Sequence, residues 1–354
     1  MSDVRHNGGL PSQVDRSEFV VGKDVAFTPG AVVYRNEVLE LLAVLRDLLA
    51  QPAKGAAGWD LDTYGQAIIS ALDAVQEITT SDQVNLFGLC AGGITTATVL
   101  NHLAAVGDDR VRNVSFGVTL LDMSVPAQVG MLMNKRLLSL ASWRSRQTGV
   151  LDGQSLASIF TWMRPNDLVW NYWVNDYLMG KKPAPFDILA WNADRTNLPA
   201  ALHGQFLDMF AGNLMARPGA MTVLGSPVDL SQIKVDAYVT GGTTDHLTPW
   251  RGCYRSAQLL GGDAPFVLAN TGHIQTLICP PGNPRSRYWV GSEPGPDPDA
   301  WKAGADERTG SWWEHWAEWI IPRSGEQKPA PAELGNDSHP VLGNAPGTYV
   351  HEQA

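Results

Sequence analysis

Short apolar runs and longer stretches with helical spacing alternate along the chain. Apolar residues recur at helical spacing over residues 61–78, 94–105 and 250–260, which predicts three helices. Strands that alternate with helices in this order predict an α/β fold with a mainly parallel sheet. The predicted strands are rich in Val, Leu and Phe and cover residues 84–89, 114–121, 235–240 and 265–268.

The remaining segments suggest how the chain is divided. The stretch between Asp122 and Asp229 is mostly helical in pattern and is predicted to be a lid inserted into the sheet domain. Residues 281–310 are rich in Gly, Pro, Ser and Asp and are predicted to form a long loop. The predicted parts are a disordered N-terminus at 1–17, a first core segment at 18–121, the lid at 122–229, a second core segment at 230–321, and an extended tail at 322–354 that packs or stays mobile.

Cys90 lies in a Gly-x-Cys-x-Gly run between a predicted strand and a predicted helix. This pattern is typical of a nucleophile elbow, with a thiol in place of the more usual hydroxyl. Gly88 and Gly92 are expected to be required, because the strained turn leaves no room for bulk two residues from the nucleophile. The helix N-terminus favours the thiolate, and the backbone N–H of Ala91 is a candidate oxyanion donor. Taken alone, Cys90 is equally compatible with an inert core thiol.

Two downstream residues are candidate partners of this thiol. Asp245 follows the strand predicted at 235–240, and His273 follows the next predicted strand, which is where α/β sheets place catalytic groups. The order Cys90, Asp245, His273 is the order of nucleophile, acid and base in elbow enzymes. Singly, Asp245 is also compatible with a turn or N-cap and His273 with a surface loop. His246 is a rival base, although no strand end singles it out.

Composition restricts which partners and which kinds of site the chain is expected to have. The chain has 354 residues, a net charge of −10 and three cysteines. The negative charge argues against a nucleic-acid partner, and no apolar run is long enough to span a bilayer. Cys253 and Cys279 are predicted bystanders, no Cys/His cluster has metal-site spacing, and the low cysteine content fits a reducing compartment. Four basic residues are candidates to meet a coenzyme A ligand, with solvated surface as the alternative: Arg164, Lys181, Lys182 and Arg251.

The choice of sulfur suggests acyl transfer. Exchange of an acyl group from a thioester onto Cys90 is close to thermoneutral, and the acyl-enzyme stays reactive toward an alcohol. A Cys-His-Asp elbow therefore suits transfer from coenzyme A to a hydroxyl better than it suits hydrolysis.

The chain resembles the poly(3-hydroxyalkanoate) synthases, also called poly-β-hydroxybutyrate polymerases, over nearly all of its length from Phe19 onward. The resemblance implies that Cys90 is the acylated nucleophile and His273 the base, and that Asp245 helps to activate the 3-hydroxyl of the next unit. It also implies an α/β-hydrolase-like fold, an aromatic lid that opens for substrate, a homodimer, and a cytoplasmic location on polyester granules. The segments that carry it are 19–24, 28–37, 88–93 (GLCAGG), 164–172 (RPNDLVWNY), 185–194 (PFDILAWNAD), 245–250 (DHLTPW), 272–274, 310–313 and 331–336.

One region departs from the family pattern. The family has two further strands and a proline-rich loop before the helix that precedes the nucleophile strand, and they are absent around residues 43–58. Residues 37–55 are instead predicted to form one helix, because their leucines recur at helical spacing. The missing loop is the one that supplies the second oxyanion N–H in such folds, which leaves Ala91 alone. The missing strands would also leave an open sheet edge beside Cys90.

Three functions follow from these features. The first is a polymerising acyltransferase that consumes (R)-3-hydroxyacyl-CoA, releases CoA and extends a polyester chain, with the thioester as substrate and no bound cofactor or metal. The second is a Cys-dependent hydrolase of esters or thioesters that uses the same residues. The third is an inactive chain that binds a polyester granule or an intact synthase.

Overall fold

The computed structural model describes residues 9–43, 46–49, 51–125, 135–329 and 331–352, and two units divide these residues. The first unit combines Met1–Asp60, Leu138–Gly204 and Pro331–Ala354, and the second combines Leu61–Leu137 and Gln205–Ala330. Residues 18–60, which the sequence analysis grouped with the α/β core, thus cluster with part of the predicted lid and with the tail.

The second unit contains a sheet of six strands: β4 (Val84–Leu89), β5 (Val111–Gly117), β10 (Asp236–Gly242), β11 (Phe266–Ala269), β12 (Arg287–Val290) and β13 (Asp306–Thr309). Their order in the sheet is β13-β12-β11-β10-β5-β4. The four strands β4, β5, β10 and β11 are parallel, and β12 and β13 continue the sheet antiparallel. The central strands β10 and β11 are almost entirely buried, as expected of a parallel sheet that helices cover. The predicted α/β class is confirmed.

The helices of this unit follow the predicted positions closely. Those predicted at 61–78, 94–105 and 250–260 correspond to α1 (Leu61–Thr79), α2 (Cys90–Val106) and α7 (Trp250–Leu259). Three further helices lie in this unit: α8 (His273–Leu277), α9 (Pro298–Gly304) and α10 (Trp312–Ile320). In α10, Trp312 is buried, and Trp313 and Trp316 pack against Phe87 of β4.

Two predictions in this unit are wrong. Strand β5 ends at Gly117 rather than at residue 121, because Val118 adopts a left-handed φ of 45° that a strand cannot contain. The long loop predicted at 281–310 contains β12, α9 and β13. Strand β12, which contains Tyr288 and Trp289, pairs antiparallel with β11. Asp297 caps α9, because its carboxylate accepts the backbone N–H groups of Asp299 and Ala300.

Strand β4, which carries Cys90 at its C-terminal end, lies at the edge of the six-stranded sheet. It pairs with β5 on one side, and no strand among the described residues pairs with the other side. The open edge expected beside Cys90 is therefore present in this part of the molecule.

The first unit contains a four-stranded antiparallel sheet in the order β14-β1-β2-β3. The helix predicted at 37–55 is wrong. Asn36 accepts the N–H groups of Val38 and Leu39 in a turn, and strand pairing outweighs the helical spacing of the leucines. The strands are β1 (Ala31–Arg35), β2 (Leu39–Ala43), β3 (Arg46–Leu49) and β14 (Gly343–Asn344).

The described residues between Leu138 and Gly204 of this unit are mainly helical. This unit also contains one short antiparallel strand pair, β6 (Val150–Leu151) with β7 (Leu198–Pro199). The second unit contains another, β8 (Thr222–Val223) with β9 (Ser226–Pro227). The α-helices that begin or lie in this region are α3 (Lys135–Thr148), α4 (Gly153–Met163), α5 (Asp187–Asn192) and α6 (Ala200–Gly212), with π-helical turns at Asn166–Trp170 and Trp173–Leu178.

Both ends of the described chain are packed. Residues 1–8 of the predicted disordered segment lie outside the described residues, and in its described part Leu10 and Val14 are buried. In the tail, the fully buried Glu40 of β2 accepts the backbone N–H groups of Thr348 and Tyr349, and β14 pairs with β1. Of the two options left open for the tail, packing applies to this part.

Candidate active site

Cys90 occupies a strained turn between β4 and α2. Its φ is +48°, a left-handed conformation that non-glycine residues rarely adopt and that is characteristic of functional sites. Helix α2 begins at Cys90 itself, and its N-cap residue, Leu89, makes no side-chain capping hydrogen bond. The first-turn N–H groups of α2 are thus left for a negatively charged group at the sulfur.

The glycines around Cys90 meet different steric demands. A Cβ on Gly88 would lie 2.7 Å from the Cα of Gly93, so this glycine is required. A Cβ on Gly93 would overlap Thr119, whereas a Cβ on Gly92 would meet no described atom within 4 Å. The expectation that Gly92 is sterically required is therefore wrong, and Gly93 takes that role. Gly92 has space because it lies on the exposed side of the elbow.

Asp245 and His273 are brought into direct contact by the loops after β10 and β11. The Nδ1 atom of His273 donates to Oδ2 of Asp245 at 2.7 Å, and both side chains are buried. The other carboxylate oxygen, Oδ1, accepts the backbone N–H groups of Leu247 and Thr248, each at 2.9 Å. Burial alone raises the pKa of Asp245, but the hydrogen bonds and the positive charge of His273 hold it below its usual value.

His273 also lies close enough to Cys90 for the thiol to affect the pKa of the imidazole. Since Nδ1 faces Asp245, Nε2 is the ring nitrogen left for the thiol. Burial lowers the pKa of His273, but the hydrogen bond to Asp245 and the interaction with Cys90 outweigh it and raise the pKa to about 10. This arrangement holds a proton on the imidazole beside the sulfur, as in other paired Cys–His sites.

The residues next to Cys90 in the chain are exposed to solvent. Cys90 is partly exposed, Leu89 is 41% exposed, and Ala91 and Gly92 are exposed. The N–H of Ala91 is placed at the first turn of α2, as the elbow pattern predicted. Within the described ranges, no strand beyond β4 contributes a loop with a second donor.

The other candidate residues lie elsewhere or have other partners. His273, and not His246, bonds the Asp245 carboxylate. Cys253 is fully buried, and burial raises the pKa of its thiol far above its ordinary value. Cys279 is also buried and hydrogen-bonds Ser286. No group of three or more His, Cys, Asp or Glu residues in the described ranges could hold a metal ion.

The basic residues considered for coenzyme A make local contacts. Arg251 forms a two-point ion pair with Asp299 and lies 4.7 Å from the ring centroid of Trp250. Arg164 pairs with Asp167, and Lys181 donates to Asn175. Lys182 lies within electrostatic range of Asp15. These contacts do not single out a nucleotide site.

Thr248 is a residue that the sequence analysis missed. Its hydroxyl donates to Oδ2 of Asp245 at 2.7 Å and lies 3.1 Å from Nδ1 of His273. The available signal was its position three residues after Asp245, since a side-chain carboxylate that follows a strand commonly accepts N–H groups two and three residues on.

Comparisons with known proteins agree with this architecture. The family model for the alpha/beta hydrolase fold matches residues 49–278, and the model for the poly-beta-hydroxybutyrate polymerase (PhaC) N-terminus matches residues 1–46. Poly(3-hydroxyalkanoate) polymerase 1 of Ectopseudomonas oleovorans is 43% identical over 395 aligned residues, which cover 99% of this chain and 71% of that protein. Polymerase 2 of the same organism is 44% identical, covering 99% and 70%. The polymerase subunit PhaC of Cupriavidus necator is 34% identical, covering 98% and 67%.

Proposed function

The chain belongs to the poly(3-hydroxyalkanoate) polymerase family, and on that premise we propose that it polymerises (R)-3-hydroxyacyl groups from coenzyme A thioesters through an acyl group bound to Cys90. The observation that carries the mechanism is the hydrogen bond between Asp245 and His273, together with the interaction of His273 with Cys90 at the strained turn between β4 and α2. Three relatives that share at least 34% of their aligned residues are named polymerases of this kind.

In the first half-reaction, Nε2 of His273 holds the proton of the Cys90 thiol. The thiolate attacks the thioester carbonyl and forms a bond from sulfur to carbon, and the negative charge moves to the carbonyl oxygen near the N–H of Ala91. The carbon–sulfur bond to coenzyme A then breaks, and the leaving sulfur takes the proton from His273. The products are acyl-Cys90 and free coenzyme A.

In the second half-reaction, a hydroxyl of another 3-hydroxyacyl group attacks the acyl-Cys90 carbonyl. His273 accepts the hydroxyl proton, an ester bond forms, and Cys90 leaves as the thiolate. Asp245 is 7% exposed, and its two oxygens already accept four hydrogen bonds. This geometry supports an orienting role through His273, in place of the direct activation of the substrate hydroxyl that the family resemblance implies.

A shortened N-terminal part of the core is also proposed. The open edge of β4 supports this proposal. The alignment with polymerase 1 also supports it, because that alignment spans 395 positions and this chain has 354 residues. With one oxyanion donor in place of two, we expect acylation to be slower than in full-length relatives by about 10²–10³.

Association with polyester and with a second copy of the chain is likewise a proposal. Five tryptophans in the helical part of the first unit are each 38–57% exposed, which supports an apolar partner: Trp143, Trp162, Trp170, Trp173 and Trp191. No helix in the described part of the chain combines the length and apolar character that crossing a membrane requires. Sedimentation and activity measurements at increasing protein concentration test whether the chain dimerises. If it does, the activity per chain should rise as the dimer forms.

Incubation of the purified chain with 3-hydroxybutyryl-CoA tests the function. Free coenzyme A and insoluble polymer should appear together, and neither should appear with Cys90→Ala. Coenzyme A with soluble hydroxy acid would instead support a thioester hydrolase, the alternative that the same three residues allow. Polymer binding without release of coenzyme A would support an inactive partner chain, the alternative favoured by the open sheet edge.

A further inference from the structure

Thr248 contacts both members of the acid–base pair. Its hydroxyl lies 2.7 Å from Oδ2 of Asp245 and 3.1 Å from Nδ1 of His273, and its backbone N–H donates to Oδ1 of Asp245 at 2.9 Å. The residue is 7% exposed and lies in the loop between β10 and α7. The buried thiol of Cys253, on α7, lies 3.6 Å from the carbonyl oxygen of Thr248 and packs against this loop from inside.

The chemistry of the hydroxyl determines how these contacts are shared. A carboxylate has no proton to give, so the single hydroxyl proton of Thr248 is donated to Asp245. The lone pairs of the same oxygen then face the N–H at Nδ1 of His273, which divides its hydrogen bond between the carboxylate and the hydroxyl. Such sharing keeps a proton on Nδ1 and leaves Nε2 to act at Cys90.

Thr248 also restrains the carboxylate independently of the imidazole. Oδ1 of Asp245 is held by two backbone N–H groups, and Oδ2 would be held by His273 alone if the Thr248 hydroxyl were absent. His273 must exchange its proton with Cys90 and with a leaving group in every cycle. A second donor on Oδ2 therefore keeps the carboxylate in place while the charge on the ring changes.

We propose that Thr248 is a positioning residue, whose hydroxyl fixes the Asp245 carboxylate and the Nδ1 side of His273 so that Nε2 faces the sulfur of Cys90. Thr248 acts through His273 and does not touch the reacting atoms. The role deepens the proposed acyl transfer and rests on it for its catalytic meaning, but its effect on the reactivity of Cys90 does not depend on any acyl substrate.

The test is therefore alkylation of the substrate-free full chain by iodoacetamide, followed at Cys90 by peptide mass spectrometry between about pH 6 and pH 10. In Thr248→Val, which keeps the shape and removes the hydroxyl, we expect the rate at neutral pH to fall about tenfold. The pH profile should also move upward, toward that of His273→Ala. Thr248→Ser restores the hydroxyl and should recover most of the rate and the original profile.

Thr240→Val is the matched control. Thr240 is buried in β10, and its hydroxyl has no hydrogen-bond partner among the described residues, so its loss should leave the profile unchanged. If Thr248→Val does not fold, Thr248→Ala carries the same comparison. A Thr248→Val profile that coincides with the native one, or a Thr248→Ser profile displaced as far as that of Thr248→Val, would overturn the proposal. Acyl transfer failing while these profiles separate as expected would count against the proposed function alone.

Discussion

The acid–base side and the nucleophile side of the candidate active site differ in how they are supported. On the acid–base side, Asp245 accepts four hydrogen bonds, and both it and His273 are buried. On the nucleophile side, Leu89 is 41% exposed, and no described strand pairs with the outer edge of β4. The difference shows that these two parts of the site depend on different segments of the chain.

The cause lies in the order of the elements. The loops after β10 and β11 hold Asp245 and His273, and these strands pair with each other inside the sheet. Among the described strands, β4 pairs only with β5, since the described elements before α1 form a separate sheet in the first unit. The nucleophile side therefore has less support from neighbouring strands than the acid–base side.

The largest effect is expected from Asp245→Asn, which breaks the supported side. An amide in place of the carboxylate favours the wrong tautomer of His273, so acylation should fall by about 10⁴. Because Asp245 acts through His273 in both half-reactions, elongation should fall by the same factor. Single-turnover acylation and steady-state polymer formation measure the two. Elongation that falls much further than acylation would restore a direct role of Asp245 at the substrate hydroxyl.

The next effect concerns the open side. Insertion of the relatives' strand and loop segment between β3 and α1 should supply the second oxyanion donor and cover the edge of β4. We expect acylation to rise by about 10²–10³ and the melting temperature to rise with it. A Gly/Ser insertion of equal length is the control. A native chain that already acylates as fast as its relatives would show that another group completes the oxyanion site.

A smaller effect is expected from alanine substitutions at the two glycines that lie on opposite faces of the turn at Cys90. Gly93→Ala places a methyl group against Thr119 and should destabilise the chain by about 1–3 kcal/mol. Gly92→Ala meets open space in a helix and should be neutral or stabilising by up to about 1 kcal/mol. Urea unfolding compares the two variants. An equal loss in both would mean that another part of the chain, or a second copy, packs against the outer face.

The last expected effect is a pH dependence of stability. The pKa of His273 is raised from 6.5 to about 10 in the folded chain. Its pairing therefore contributes stability that is fully present below about pH 6.5 and is lost as the pH rises through about 10. The difference in unfolding free energy between the native chain and His273→Gln should shrink over this range. A difference that stays constant would contradict the raised pKa.

The sequence allowed much of this site to be predicted, because the relevant signals are local. The apolar run at Val84–Leu89 has the predicted bounds, and the turn residues around Cys90 specify the strand-to-helix junction. The strand ends before Asp245 and His273 place these residues at the same edge of the sheet. Their contact, at 2.7 Å, follows from the strand order that alternating elements imply.

The failures arose where distant partners decide the structure. The leucines of residues 37–55 have helical spacing, but Leu39 and Leu41 are buried in β2, where strand pairing with β1 outweighs local propensity. Strand β12 lies in a stretch dominated by Gly and Pro and forms because it pairs with β11. The sequence also could not separate Gly92 from Gly93, since only the position of Thr119 distinguishes them.

The proposed mechanism requires the acid–base pair to activate Cys90 for acyl transfer although the nucleophile side is open. Intact-protein mass spectrometry after mixing with 3-hydroxybutyryl-CoA measures this activation. We predict an adduct of one 3-hydroxybutyryl group that maps to Cys90, forms far more slowly in His273→Ala, and is absent from Cys90→Ala. An adduct that persists in Cys90→Ala, or no adduct on the native chain while its Cys90 is freely alkylated, would rule out Cys90 as the activated nucleophile.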